Sequence, residues 1–150
     1  MAHEELLACL DQMEVLLTRV KDLARRIEIQ SGAGSTAPND LLGARQVYID
    51  RLKKCENRVS ALLSRLPEGE RRQMKTVLFS GSLPDGASPE ETALSGYGAR
   101  CRSLQREIRA CDFESIKQIK KERDLLQKRI NDSRGTAGPA SGSPLFSRFI

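Results

Sequence analysis

The sequence predicts an all-α fold: an elongated antiparallel helical hairpin or three-helix bundle with coiled-coil-like packing and a flexible C-terminal tail. Three observations predict it. Apolar residues recur at alternating steps of three and four in three separate stretches. Such steps average close to the helical repeat, so each run lies on one face of a long helix and has to be buried against another. Charged residues make up 30% of the 150 residues, aromatics only 4%, and Trp is absent, which suits long helices with one wet face better than a large globular core.

The first stripe is Leu6, Leu10, Met13, Leu17, Val20, Ala24 and Ile27, and it predicts a helix from about Glu4 to Gln30. Glu4 and Glu5 suit the positive end of its dipole. The small residues from Ser31 to Ala37, followed by Pro38, stop it in a flexible loop. A second helix starts near Asn39 or Asp40, either of which can cap free amides, and carries the stripe Tyr48, Leu52, Cys55, Val59, Leu62 and Leu66. Pro67 interrupts it and can open a short helix over Glu68 to Ser80, with Met74, Val77 and Leu78 facing inward. Residues 81–86 read as a turn.

Ser88-Pro89-Glu90-Glu91 is a strong start signal, with Ser at the cap, Pro first inside and Glu where a capping box closes. The helix it opens extends to about Asp132 and carries Leu94, Tyr97, Cys101, Leu104, Ile108 and Cys111. The stripe falters near Cys111-Asp112-Phe113, which admits a break there. It resumes at a shifted phase as Phe113, Ile116, Ile119, Leu126 and Ile130. The chain divides into a helical bundle domain over residues 1–132 and a tail over 133–150. The tail is rich in Gly, Ser, Ala and Pro and has too little apolar area to offset its ordering entropy. Its end, Leu145 to Ile150, is apolar again and reads as a docking element, for this chain or a partner.

Charge is uneven. Residues 1–97 hold 13 Lys and Arg against 14 Asp and Glu, whereas residues 98–134 hold 11 against 6. These bases are interleaved with acids and lack stacking aromatics, which argues against nucleic-acid recognition. The four cysteines, Cys9, Cys55, Cys101 and Cys111, have no zinc-ligand spacing and read as reduced core or near-core thiols in a reducing compartment. The single histidine, His3, sits at a fraying end and is a poor general base. No catalytic residue, cofactor site or metal site is expected. The N-terminus lacks a secretory pattern and no apolar run reaches the roughly 20 residues of a membrane span, so a cytoplasmic protein without membrane insertion is expected.

Residues 44–66, then Leu104-Gln105-Arg106-Glu107-Ile108, Asp112, the run Lys121 to Ile130 and the Ser-Arg-Phe-Ile ending together resemble bacterial flagellar export chaperones of the FlgN and FliT type. The resemblance covers roughly residues 40–150. It implies a cytoplasmic type III export chaperone that binds the helical end of a flagellar axial protein, of the hook-junction or filament-cap type. Such a chaperone keeps its client soluble and delivers it to export gate and ATPase components. It also implies that the stripes of the second and third helices and the tail bind the client. The residues it marks as partner-binding are Leu104, Ile108, Cys111, Ile116, Ile119, Leu126, Ile130, Phe146 and Phe149. The competing reading is a structural coiled-coil adaptor or scaffold subunit, and a homodimer is left open.

Overall fold

The computed structural model describes residues 2–32 and 39–134. Their helical elements are α1 (Ala2–Gly32), α2 (Asn39–Ser64), α3 (Glu68–Lys75), a π-helical turn (Thr76–Ser80) and α4 (Pro89–Arg134), with no strand among the described residues. The fold is an all-α bundle. α2 runs antiparallel to α1 and α4 runs parallel to it, so that the three long helices go up, down and up.

The register is visible in the polar rungs. Glu5 meets Arg58 between α1 and α2 at 3.3 Å. Along α1 and α4, Tyr97 donates to Asp11 at 3.2 Å, Arg100 to Glu14 at 3.0 Å, and Lys21 pairs with Glu107 at 3.5 Å. Exposed pairs of this kind add little stability. They mark which residues lie level.

α1 is the central helix: α2 and α4 each pack along it. Its buried face is Leu6, Leu10, Leu16, Leu17, Val20, Leu23, Ala24 and Ile27, wider than the expected stripe by Leu16 and Leu23. The extra width is what a helix needs when it is flanked by two others. Leu52, Val59 and Leu62 of α2 and Leu94, Cys101, Ile108 and Cys111 of α4 close over it. Leu94 is 0% exposed and belongs to the cluster formed with Leu6, Leu62, Met74 and Val77.

α3 and the π turn cap the end of the bundle where α2 stops. Pro67 stands at the N-cap position of α3, one residue before the expected first turn. Arg71 donates to the carbonyls of Ser64 and Leu66, satisfying the C-terminal end of α2. The π turn widens the backbone so that consecutive residues Val77 and Leu78 are both buried, as expected from the sequence, while Phe79 is turned out. Gly81, at φ 74°, then ends the turn in the left-handed region.

α4 opens with the capping box read from the sequence. The Glu91 amide donates to Ser88 Oγ at 3.2 Å and the Ser88 amide to Glu91 Oε1 at 3.3 Å. The break admitted near Cys111-Asp112-Phe113 does not occur, and α4 is continuous for 46 residues, about 69 Å. The apolar pattern falters there because a seam position is filled by the small polar Ser115, which is nonetheless buried. Asp112 leaves the seam to accept two hydrogen bonds from Arg45 of α2, at 2.5 and 2.6 Å. Neither substitution breaks the backbone ladder, and α4 has no Pro beyond Pro89.

Candidate partner-binding surface

α4 outruns the helix it packs on. The last turns of α1 lie level with Glu114 and Gln118, which share a recess with Arg25, Glu28, Ile29 and Gly32. From about residue 119 to Arg134 the helix continues for roughly 24 Å past that level. The face it carries onward is the core face. Five helical turns take about 18 residues, so the buried Cys101 and Ile108 repeat at the same azimuth as Ile119 and Leu126. What seemed a shifted phase in the sequence is therefore the same seam after the Ser115 interruption.

Along this continuation the apolar residues face solvent. Ile116 is 58% exposed, Ile119 44% and Leu126 50%, and Ile130 is half-buried. Leu125 and Phe113 add exposed apolar surface outside the stripe. Isolated exposed apolar side chains are ordinary, but a row of them at helical spacing on one face is not.

The other expected partner-binding residues are placed differently. Ile108 and Cys111 are buried in the bundle, and Leu104 is half-buried against the same core cluster. In this arrangement the bundle covers Ile108 and Cys111, and Leu104 in part. The α2 stripe is covered likewise at Leu52, Val59 and Leu62, with Tyr48, Cys55 and Leu66 half-buried. Alternating spacing reports that a face is covered, without saying by which helix. Phe146 and Phe149, with the rest of the expected flexible tail, lie outside the described residues.

A second apolar feature escaped the sequence reading. A cleft of about 310 Å³ opens between α2 and α4, floored by Leu10 and Met13, with Val59, Leu78 and Cys101 on its walls and Phe79 at its edge. Phe79 is 61% exposed. Its exposure follows from the π turn, which no local pattern in the sequence announced. Arg102 also lines the cleft, but its guanidinium already donates to the carbonyls of Leu78 and Phe79, at 2.7 and 3.0 Å. Through Nη1 it ties the turn to α4.

Burial pushes the Cys55, Cys101 and Cys111 thiols up, away from the reactive thiolate, and Glu28 beside Cys111 pushes in the same direction. Among the described residues no group of three or more His, Cys, Asp or Glu is placed to hold a metal ion. No helix among them is long and apolar enough to cross a membrane. Comparison with protein-family models, with curated proteins and with solved structures gave no match to this chain.

Proposed function

We propose that this chain is a helix-binding protein that takes a partner helix along the projecting part of α4. In its finer form the reading is a cytoplasmic flagellar type III export chaperone. Its client is then the helical end of a hook-junction or filament-cap protein, held soluble and passed to export gate and ATPase components. The observation that carries the coarse reading is the exposed continuation of the core seam through Ile116, Ile119, Leu126 and Ile130. A helix laid on that row buries apolar area on both sides, and each fully covered Ile or Leu is worth about 1.5–3 kcal/mol before ordering costs. The finer form is supported by the sequence resemblance over residues 40–150.

Co-expression with the helical end of a candidate axial protein tests the proposal, scored by co-purification. The expected outcome is a one-to-one complex with the full chain that Ile119→Asp and Leu126→Asp abolish without lowering the melting temperature of the bundle. If both variants capture the client as well as the parent chain, α4 is not the binding surface. The second reading, a coiled-coil adaptor, is favoured by the three-four spacing from Ile116 to Ile130. Sedimentation of the isolated chain separates the two, since a scaffold of that kind is a dimer through α4 with no client present.

A further inference from the structure

The projecting seam has one feature that an apolar row does not need. Stepping by three and four from Ile116 gives Ile119, position 123, Leu126 and Ile130, and position 123 is Arg. Arg123 therefore stands in the middle of the apolar row. Its guanidinium reaches the adjacent Asp124 at 3.2 Å, a side chain that is itself 71% exposed. An arginine held by a wet neighbour on its own helix keeps most of its hydrogen-bonding capacity for a partner.

The flanks are basic on balance, with three bases against one acid and one neutral residue. The positions bordering the row on one side are Lys120, Gln127 and Arg134, and on the other Glu122 and Arg129. Residues 117–134 as a whole hold seven bases and three acids. In paired helices the flanking charges select the partner and a polar residue in the seam sets its register. A second copy of this chain would bring like charge onto like charge, including Arg123 and Arg129. A membrane surface would accept the bases, but it favours a broad apolar face over a narrow row with a guanidinium at its centre.

We infer that the projecting seam of α4 recognises an amphipathic helix with acidic flanks, and that a carboxylate of that helix pairs with Arg123. The inference rests on reading this seam as a helix-binding surface and adds the chemistry of the partner. The apolar row supplies contact area, and Arg123 fixes the register because a bidentate carboxylate pair forms at only one offset.

The test uses the full chain and two fluorescent synthetic helical peptides with the same leucine row, one flanked by Glu and the other by Lys. Binding is read by anisotropy at low and high salt, with circular dichroism to confirm that each variant is folded. The acidic peptide is expected to bind at least tenfold tighter, with the preference shrinking as salt rises. Arg123→Glu reverses the preference, and Arg123→Leu keeps binding but loses most of the discrimination. Equal affinity for both peptides overturns the inference while leaving helix binding intact. Failure of both peptides to bind sinks the inference together with the function it rests on. Capture by vesicles containing phosphatidylserine, with no acidic-peptide preference, overturns it in favour of a lipid surface. A dimer of the free chain broken by Arg123→Glu or Leu126→Asp overturns it in favour of self-association.

Discussion

Gly98 sits where the π turn crosses α4, and a methyl group built on it would clash with the Leu78 carbonyl oxygen. Two effects oppose each other in Gly98→Ala. Helix propensity favours Ala by about 1 kcal/mol. The clash is with backbone, which cannot swing away, and overpacking of this kind costs about 1–3 kcal/mol or more. The clash wins, so Gly98→Ala is expected to lower stability by about 2 kcal/mol in urea unfolding. Gly43, on the exposed face of α2 with nothing within 4 Å, is the control: Gly43→Ala is expected to stabilise by up to about 1 kcal/mol. The capping residue Glu91 titrates with the fold. The Gln73 amide and the Ser88 backbone N–H donate to its carboxylate and hold it below the usual value of 4.5. A depressed carboxyl contributes stability that is fully present above its unfolded value and is lost as pH falls through its native one. The melting temperature of Glu91→Gln is therefore expected to lie below that of the parent at neutral pH, with the difference closing below about pH 4.5.

At the scale of one element, α4 is two helices in energetic terms though one in geometry. From Leu94 to Cys111 it buries its seam against the bundle, and beyond it Ile119 and Leu126 are exposed and Ile130 is half-buried. Intrinsic propensity alone makes short lengths of helix only marginally stable. Hydrogen exchange followed by mass spectrometry is expected to show amides of 94–111 exchanging at rates near global unfolding. Those of 122–134 exchange orders of magnitude faster and gain protection when a partner helix binds. The capping box and the Arg102 bonds to Leu78 and Phe79 both act on the packed half, which is where α4 is anchored.

For the whole molecule the governing fact is that α1 carries both neighbours. α2 and α4 leave a cleft between them where Glu56 to Ser60 faces Gly98 to Gln105, and are joined nearer the start of α2 by the Arg45–Asp112 pair. Asp112 also keeps the Arg45 guanidinium firmly charged, chiefly through their hydrogen bond and against the opposing effect of burial. The pair is bidentate but only partly buried, with side-chain exposures of 20% and 32%. It falls between exposed pairs worth under about 1 kcal/mol and buried ones whose breakage costs about 3–5 kcal/mol. A double-mutant cycle with Arg45→Met and Asp112→Asn is expected to give a coupling of about 1 kcal/mol. A value near zero would make the pair a register mark and nothing more.

Periodicity and capping chemistry in the sequence by themselves determined the helices, their starts and most of the core. Leu6, Leu10, Leu17, Val20, Ala24, Ile27, Leu52, Val59, Leu62, Leu94, Cys101, Ile108 and Cys111 are buried as the spacing requires, and Ser88 with Glu91 forms the box its residues announce. Both signals are local, because a helix exposes its neighbours at fixed steps whatever lies beyond it. Only the tertiary structure decided which stripes are used up and which is free. Ile108 and Ile119 look alike in the sequence, yet one is sealed by α1 and the other is exposed, because α1 ends about sixteen residues before α4 does when the two are laid in register. That difference in length, set by how the helices stack, leaves the end of a core seam uncovered.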